Sequence, residues 1–422
     1  MKRPTTIARL GAVALIGAIA LAGCGSDDNG DSGSKDSSTN SSAKGDGTLT
    51  VGTLLPQTGD LAYLGPPEFA GVDLAVNEIN DAGGVLGKPI KQVKADSGDL
   101  TPDIGGASVD KLLNGGSDVI VGAASSSVSL SVIDKITGAG KVQFSPANTA
   151  AAFDTYDDQG LYFRTSPSDR LQGQVIGNMA VEDGFKNVAV MARQDAYGEG
   201  LAQQVVDTLK EKGAGVASHV LYNADAENYT AEVNEVAASK PDAIVLVAFE
   251  ETTKIVPQLV SKGYGPDKVQ YSFVDGNMAD YSQSLKQVDL TGVKGTFPAP
   301  AEPDPTFNDE LKTINPDLKD FTYGPQSYDA VMLIALAAQA AGDDDGKAIA
   351  SKLIEVSKDG TECKGWEECS KLHEDGEDID YNGVSGPSDF NDTGSPNKAT
   401  IGIQEYTGNK YKQIDSVSGV LD

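Results

Sequence analysis

Short apolar segments alternate with segments of helical periodicity over most of the chain, from about residue 49 to residue 274. The apolar segments are predicted strands, at 49–55, 90–95, 118–122, 142–145, 188–191, 217–222, 243–249 and 269–274. The segments between them are predicted helices, at 67–81, 108–113, 127–136, 198–212, 229–239 and 252–262. Strands that alternate with helices form βαβ units, so the sequence predicts an α/β fold with parallel sheets.

This alternation falls into two blocks, 48–164 and 165–297, and each has the size of one doubly wound domain. The remainder contains a long apolar helix at 327–341 and β-like segments, and it is too small for a third domain of this kind. We therefore predict two doubly wound parallel-sheet lobes joined by several crossings of the chain. Lobe 1 is 48–164 plus about 298–386, and lobe 2 is 165–297 plus about 387–422. Two lobes joined in this way form a cleft that opens and closes.

The N-terminal segment has the pattern of an exported and anchored protein. Basic residues precede a 13-residue apolar run at 10–22, which is shorter than the roughly 20 residues of a membrane-spanning helix. The run ends in Leu-Ala-Gly-Cys24, which resembles a bacterial lipobox. We expect a signal peptide at 1–23, a lipid on Cys24 that anchors the protein to the outer face of the cell membrane, and a disordered tether at 24–47. The alternative is a chance cysteine after an ordinary signal peptide.

The charge balance limits the partners of the chain. Lys plus Arg is 33 and Asp plus Glu is 62, which gives a formal net charge of −29. An excess of this size repels nucleic acid and anionic lipid, so we expect neither as a partner and expect a monomer. The sequence has two histidines, His219 and His373, which restricts catalysis by a Ser-His-Asp triad or a histidine cluster.

Two motifs have a metal-binding alternative. Cys363 and Cys369 lie close together in an exported chain, which favours a local disulfide over a metal site with His373, because zinc sites normally show a second matching pair. The segment 378–389 imitates an EF-hand loop, but its twelfth residue is Asp389 where Glu is expected. We therefore expect a disulfide, no metal and no cofactor.

Ligands of open α/β sheets bind at the carboxyl ends of the strands, so the loops after the predicted strands are the candidate site. The loop 122–127 is Gly-Ala-Ala-Ser-Ser-Ser and leads into a helix. Its Ser126 and Ser127 either bind an anion such as a carboxylate or serve only as helix N-caps, and this pattern alone favours neither. The second block offers aromatic residues and a carboxylate, Asp275. A zwitterion would place its carboxylate on the first lobe and its ammonium near Asp275.

Several stretches, in order along the chain, resemble one family. They lie at 58–71, 83–88, 122–127, 144–149, 163–165, 197–201 and 389–394. Together they resemble the extracellular solute-binding proteins of ABC transporters for branched-chain amino acids. This resemblance implies the two-lobed periplasmic-binding fold of type I with three hinge strands.

The resemblance also implies roles for individual residues. It gives Ser126 a carboxylate contact through hydroxyl and backbone, with Ser127 beside it. On the same carboxylate it gives Ala147 a backbone contact and Thr149 a hydroxyl contact.

On the second lobe the resemblance implies that Tyr197 closes over the ligand and that Asp275 binds the α-ammonium, where Glu is more usual. Phe249 lies where members of the family often have Tyr. Leu64 lies where amino-acid binders often have an aromatic residue, with Tyr63 next to it.

The sequence thus predicts a lipid-anchored substrate-binding protein that captures a small ligand, a branched-chain or related amino acid, in the cleft between the lobes and delivers it to the membrane permease of an ABC importer. Amides, urea or another small organic acid are alternative ligands, and sensing through a membrane receptor is an alternative role. An anchored hydrolase is disfavoured, because it needs a paired acid and base or a metal and the sequence offers neither constellation.

Overall fold

The computed structural model describes residues 44–99, 103–300 and 304–421. The predicted signal peptide, Cys24 and the predicted tether as far as residue 43 lie outside the described residues.

Strands and helices alternate along the described chain. The strands are β1 Thr50–Leu55, β2 Lys91–Asp96, β3 Val119–Gly122, β4 Val142–Ser145, β5 Tyr162–Arg164, β6 Asn187–Arg193, β7 Gly215–Tyr222, β8 Ala243–Val247, β9 Gln270–Phe273, β10 Lys294–Pro298, β11 Thr361–Cys363, β12 Ile379–Gly383, β13 Gly386–Pro387, β14 Lys398–Thr407 and β15 Lys410–Val420. The α-helices are α1 Gly65–Asp81, α2 Gly105–Asn114, α3 Ser126–Gly138, α4 Asp169–Glu182, α5 Ala196–Glu211, α6 Thr230–Ser239, α7 Thr252–Ser261, α8 Pro305–Ile314, α9 Gly324–Ala341, α10 Gly346–Leu353 and α11 Gly365–Glu374.

Two large sheets confirm the predicted α/β fold. The first has the order β2-β1-β3-β4-β5 and all its strands are parallel. The second has the order β15-β14-β10-β9-β8-β6-β7, in which β6 to β10 are parallel. The late strands β14 and β15 extend it in antiparallel fashion. A third, three-stranded sheet contains β11, β12 and β13.

Each large sheet has its own hydrophobic core. The first core joins β1, β3, β4 and β5 to α1 and to the apolar α9, which returns to this sheet from far along the chain. The second sheet is covered on one side by α6 and α7, and on the other side by α4 and α5. We call the first sheet with α1–α3 and α9–α11 the first lobe, and the second sheet with α4–α7 the second lobe.

The pattern of apolar residues did not predict α4, and glycine is the reason. Gly173 and Gly177 interrupt its apolar periodicity, but they face α5. A Cβ at Gly173 would lie 2.6 Å from Gln204 Cγ, and one at Gly177 would lie 2.6 Å from Thr208 Cγ2. The glycines therefore allow α4 and α5 to approach closely.

The N-terminal end of the described chain is bound to the first lobe. The backbone N–H groups of Gly45, Gly47 and Thr48 donate to the carboxylates of Asp343 and Asp344, over 2.8 to 2.9 Å. These carboxylates lie between α9 and α10. The last residues of the predicted tether thus have a fixed attachment point on this lobe.

Cys363 and Cys369 form a disulfide, as predicted, between the end of β11 and α11. The segment that imitates an EF-hand forms the antiparallel β12–β13 pair. Within the ranges that the structure covers, no cluster of three or more metal-ligating side chains occurs. No helix in those same ranges is long and apolar enough to cross a membrane.

Candidate functional site

A cavity lies between the lobes, at the carboxyl ends of strands from both sheets. Seven of the nine predicted ligand-binding residues line it, namely Leu64, Ser126, Ala147, Thr149, Tyr197, Phe249 and Asp275. The lining also includes four residues that the sequence did not indicate as ligand contacts, namely Leu61, Ala124, Gly276 and Tyr323.

The two other predicted residues lie beside the cavity. The Tyr63 hydroxyl donates to the Gly276 carbonyl oxygen over 3.0 Å, which joins the first lobe to the second. Ser127 is buried, and its Oγ has no partner at hydrogen-bonding geometry. Neither side chain is part of the cavity lining in this structure.

The first lobe presents the N-terminus of α3 to the cavity. Ser125 is the N-cap, since its Oγ accepts from the Val128 N–H over 3.4 Å, so neither Ser126 nor Ser127 has that role. Ser126 begins the helix, and its Oγ accepts from the Ala150 N–H over 3.3 Å. A helix N-terminus has unpaired N–H groups and a positive dipole end, both of which favour an anion.

A buried polar network fixes the loop before α3. The Ala123 carbonyl oxygen accepts from Ser145 Oγ over 2.7 Å and from Asn148 Nδ2 over 3.0 Å. Asn148 Nδ2 also donates to the Ala124 carbonyl oxygen over 2.8 Å. These bonds tie the loop after β3 to the loop after β4, so the positions of Ser126 and Thr149 are set together.

The Thr149 hydroxyl lines the cavity and is buried. It has no partner at hydrogen-bonding geometry. Buried polar groups in folded proteins are nearly always paired, so this hydroxyl is suited to a polar ligand group. Together with the start of α3, it makes the first lobe a donor surface.

The second lobe presents one buried carboxylate, Asp275, held by three side-chain donors. Gln172 Nε2 and the Tyr197 hydroxyl donate to Oδ1 over 2.8 and 2.6 Å, and the Tyr323 hydroxyl donates to Oδ2 over 2.9 Å. Burial raises the pKa of Asp275, and these hydrogen bonds together with the Gly276 backbone N–H oppose that rise. When ionised, this carboxylate offers a negative charge to a cationic ligand group.

Tyr323 is the cavity residue that the sequence most clearly missed. It immediately precedes α9 and has a φ of 61°, in the left-handed region that residues other than glycine rarely adopt. Its hydroxyl reaches a residue 48 positions earlier in the chain. The one local signal is an aromatic residue directly before the Gly-Pro that starts a long apolar helix.

A row of stacked side chains leads from the cavity to a contact between the lobes. The rings of Tyr197 and Phe249 are 5.3 Å apart and nearly parallel, and the Arg193 guanidinium lies 3.5 Å from the centre of the Phe249 ring. Arg193 is buried and pairs with Asp195 at 2.5 Å and with Glu251 at 3.3 Å.

The third carboxylate near Arg193 is Asp99 of the first lobe, 3.8 Å from its Nη2. We call the Asp99–Arg193 pair the interlobe ion pair. This pair and the Tyr63–Gly276 hydrogen bond both cross the cleft, so the structure is a closed conformation.

The lining offers groups that suit opposite charges on its two sides. Among the described residues that line the cavity, Asp275 is the one carboxylate, and Tyr197 and Tyr323 are the other titratable side chains. The arrangement can hold an anion on one side and a cation on the other.

A larger groove lies next to this cavity and shares only Tyr323 with it. It is lined mainly by the end of β10, the first turn of α8, the segment before α9 and the start of β15. None of the nine predicted ligand-binding residues lines it. The smaller cavity, where the predicted residues converge, is therefore the candidate site.

Residues 48–397 of the chain match the family described as periplasmic binding protein. The chain is 28% identical over 316 residues to the leucine-, isoleucine-, valine-, threonine-, and alanine-binding protein of Pseudomonas aeruginosa, with 72% of this chain and 82% of that protein covered. It is 26% identical over 383 residues to the chemotactic signal transduction system substrate-binding protein BasB of Halobacterium salinarum, with 87% of each covered.

Solved structures share the fold. The branched-chain amino acid transporter substrate-binding protein LivJ of Streptococcus pneumoniae, in complex with isoleucine, superposes with a TM-score of 0.72 and 22% identity, covering 88% of this chain and 100% of that one. An ABC transporter solute-binding protein of R. palustris in complex with benzoate gives a TM-score of 0.71 and 17% identity, covering 89% and 98%.

Proposed function

Because this chain belongs to the periplasmic binding protein family, we propose that it captures a small amino acid in the cavity between its lobes and delivers it to the permease of an ABC importer. The family implies an extracellular or periplasmic location. The predicted lipid on Cys24 and the predicted tether are part of the same proposal, since they would keep the protein beside its permease.

One observation carries the choice of ligand. The cavity has hydrogen-bond donors on the first lobe, at the start of α3 and at Thr149, and a carboxylate on the second lobe, Asp275. An α-amino acid carries an anion and a cation on adjacent positions and therefore matches both sides. Burial of both charges is tolerable because each finds a partner.

The apolar part of the cavity lining is suited to an apolar side chain on the ligand. Leu61, Leu64 and Phe249 border the cavity and offer no polar atoms to a ligand side chain. An aliphatic side chain buries apolar surface there, at roughly 25 cal/mol per Å². This supports a branched-chain or related amino acid, which agrees with the names of the relatives.

Closure follows from the same geometry. A ligand that contacts both lobes binds the closed form better than the open form, and this difference in affinity drives the closing. No covalent step is needed, so the protein acts as a carrier.

A panel of ligands tests the proposal by thermal unfolding and calorimetry. The panel contains leucine, isoleucine, valine, alanine, acetamide, urea and benzoate. A ligand present at 100 times its dissociation constant stabilises the protein by about 2.7 kcal/mol. We expect a shift with at least one branched-chain amino acid, and no shift with any amino acid would contradict the proposal.

Two truncated analogues of isoleucine test each side of the cavity separately. One is 3-methylpentanoate, which lacks the ammonium, and the other is 2-methylbutylamine, which lacks the carboxylate. Each leaves a buried protein group without its partner, so each should bind at least about tenfold more weakly than isoleucine. If 3-methylpentanoate or benzoate bound as tightly as isoleucine, the ligand would be a simple carboxylic acid.

The anchor has its own test. Expression of the full chain with Cys24→Ser should move the protein from the membrane fraction to the soluble exported fraction. An unchanged membrane fraction would contradict lipid attachment at Cys24 and would leave the ligand proposal untouched.

A further inference from the structure

A second buried carboxyl, Asp169, lies directly behind the cavity. It is the first residue of α4 and is fully buried, and neither of its oxygens has a partner at hydrogen-bonding geometry. Its backbone N–H donates to the Thr149 carbonyl oxygen over 2.7 Å. Asp169 is therefore fixed to a residue that lines the cavity, although it does not line the cavity itself.

Asp169 is also linked to Asp275 through one helical turn. Gln172 lies three residues further along α4, and its Nε2 donates to Asp275 Oδ1 over 2.8 Å. Burial raises the pKa of Asp169 well above its usual range, and the charge of Asp275 raises it further. Burial also raises the pKa of Asp275. Like charges in a buried site oppose ionisation of both groups.

The one cation near the pair is already occupied. Arg164 Nη2 pairs with Asp154 at 2.5 Å, and Arg164 Nε donates to Ser395 Oγ over 2.9 Å. Arg164 Nη1 donates to the carbonyl oxygens of Asn148 and Ala150. Arg164 lowers the pKa of Asp169, but Asp154 opposes this. The Thr149 hydroxyl lowers it too, without forming a well-aligned hydrogen bond.

The remaining groups that face the pair are tyrosines. Tyr63, Tyr197 and Tyr323 are buried, and burial raises the pKa of each hydroxyl well above its usual range. They therefore stay neutral and act as donors. Among the described groups around the two carboxyls, none supplies a positive charge that another carboxylate does not already hold.

We propose that the two carboxyls, Asp169 and Asp275, together hold one proton when the cavity is without ligand, and that the ammonium of an incoming amino acid displaces this proton, which passes to solvent. The charges balance, because a pair with a net charge of −1 becomes two carboxylates with one ammonium, which also has a net charge of −1. The inference rests on the proposed function, and it adds the release of a proton to each binding event.

Two consequences follow. Each amino acid captured releases up to one proton, so affinity rises with pH over the range in which the pair holds its proton, by at most about tenfold per pH unit. Above that range affinity no longer depends on this pair. A carboxylic acid without an amino group cannot replace the proton, so the pair also selects ligands that carry a cation.

Calorimetry with isoleucine tests the proposal on the unmodified protein. At each pH the titration is run in two buffers that both buffer there and differ in ionisation enthalpy, phosphate and Tris at the alkaline end and cacodylate and MES at the acid end, and the difference in observed heat gives the number of protons released. We expect release that approaches one proton at the acid end of pH 5 to 8 and declines towards the alkaline end. Isoleucine binding without proton release anywhere in this range would overturn the inference alone.

Asp169→Asn locates the proton, because it removes one carboxyl and keeps the shape of the side chain. We expect the variant to bind isoleucine with no proton release and with affinity independent of pH from 5 to 8. Asp183→Asn, at the end of the same helix, is the matched control and should release protons as the parent does. Unchanged release in Asp169→Asn would overturn the assignment. Absence of binding by every amino acid of the panel would instead overturn the proposed function and this inference with it.

Discussion

Asp275→Asn is expected to abolish most amino-acid binding while it leaves the unliganded protein at least as stable as the parent. The variant keeps the shape of the side chain but removes the charge that faces the ligand ammonium. A buried charge that loses its partner costs about 3–5 kcal/mol. This corresponds to a loss of affinity of roughly 10² to 10³-fold or more.

The stability of the unliganded variant follows from the contacts of Asp275. The amide oxygen can still accept from Gln172 and Tyr197, while the hydrogen bond from Tyr323 is at risk and, to a charged acceptor, is worth about 1.5–3 kcal/mol. This loss is offset, because the Asp275 carboxyl of the parent must either bind a proton or stay charged while buried, whereas the amide of the variant is neutral. Because the pKa of Asp275 is raised, its contribution to stability is present below the unfolded pKa of about 3.9 and is lost as pH rises towards the folded value. The amide of the Asp275→Asn variant does not ionise, so the stability of the variant does not fall in this way as pH rises.

The assay is isothermal titration with isoleucine at pH 7.5, together with urea denaturation of both unliganded proteins from pH 4 to 8. Asp280→Asn is the matched control, since Asp280 lies five residues further along the chain, outside the cavity, and pairs with Lys410 at 3.4 Å. We expect the control to bind as the parent does. If Asp275→Asn bound isoleucine within about threefold of the parent, Asp275 would not be the ammonium partner.

Three further substitutions have distinct expected outcomes. Tyr323→Phe removes a donor to a buried carboxylate at 2.9 Å, and such bonds are worth about 1.5–3 kcal/mol. Calorimetry should therefore show isoleucine binding weakened about 10- to 150-fold, and unchanged affinity would exclude this role. Glu68→Gln replaces a fully buried carboxyl without partners, whose pKa is raised by burial. Its contribution to stability is lost as pH rises above the unfolded value of about 4.3, so urea denaturation should show the variant about 1–3 kcal/mol more stable at pH 8 and equal to the parent near pH 4. If the difference in free energy of unfolding between the variant and the parent did not change with pH, ionisation of Glu68 would be excluded. Gly276→Ala would place a Cβ 2.6 Å from two ring atoms of Phe249, so the ring must move, at about 1–3 kcal/mol, and binding should weaken. Gly106→Ala, where the new Cβ meets nothing within 4 Å, should bind as the parent does.

Much of the fold could be predicted from local patterns. Buried parallel strands give continuous apolar runs such as 243–249 and 118–122, and the structure has β8 and β3 there. The site could be predicted to the extent that its residues follow such strands directly. Ser126, Thr149 and Asp275 come just after β3, β4 and β9, and the carboxyl ends of parallel strands meet at one edge of a sheet.

The rest depends on packing between distant segments. Gly173 and Gly177 weaken the helical pattern of α4 but allow it to pack against α5, so the local signal and the tertiary requirement are opposed. Tyr323 reaches Asp275 through a turn whose backbone conformation no residue type there indicates. The sequence does not indicate that Asp169 is buried, because an acidic residue at the start of a helix usually interacts with the positive end of the helix dipole.

The interlobe ion pair has a consequence for how long a captured molecule stays. Arg193 rests on the Phe249 ring, which borders the cavity, and its charge reaches Asp99 on the opposite lobe. Opening must separate these two charges before anything can leave, whereas entry into the open form precedes their pairing. We therefore expect the pair to act on the dissociation rate more than on the association rate, and so to set the residence time of a captured molecule in the closed protein.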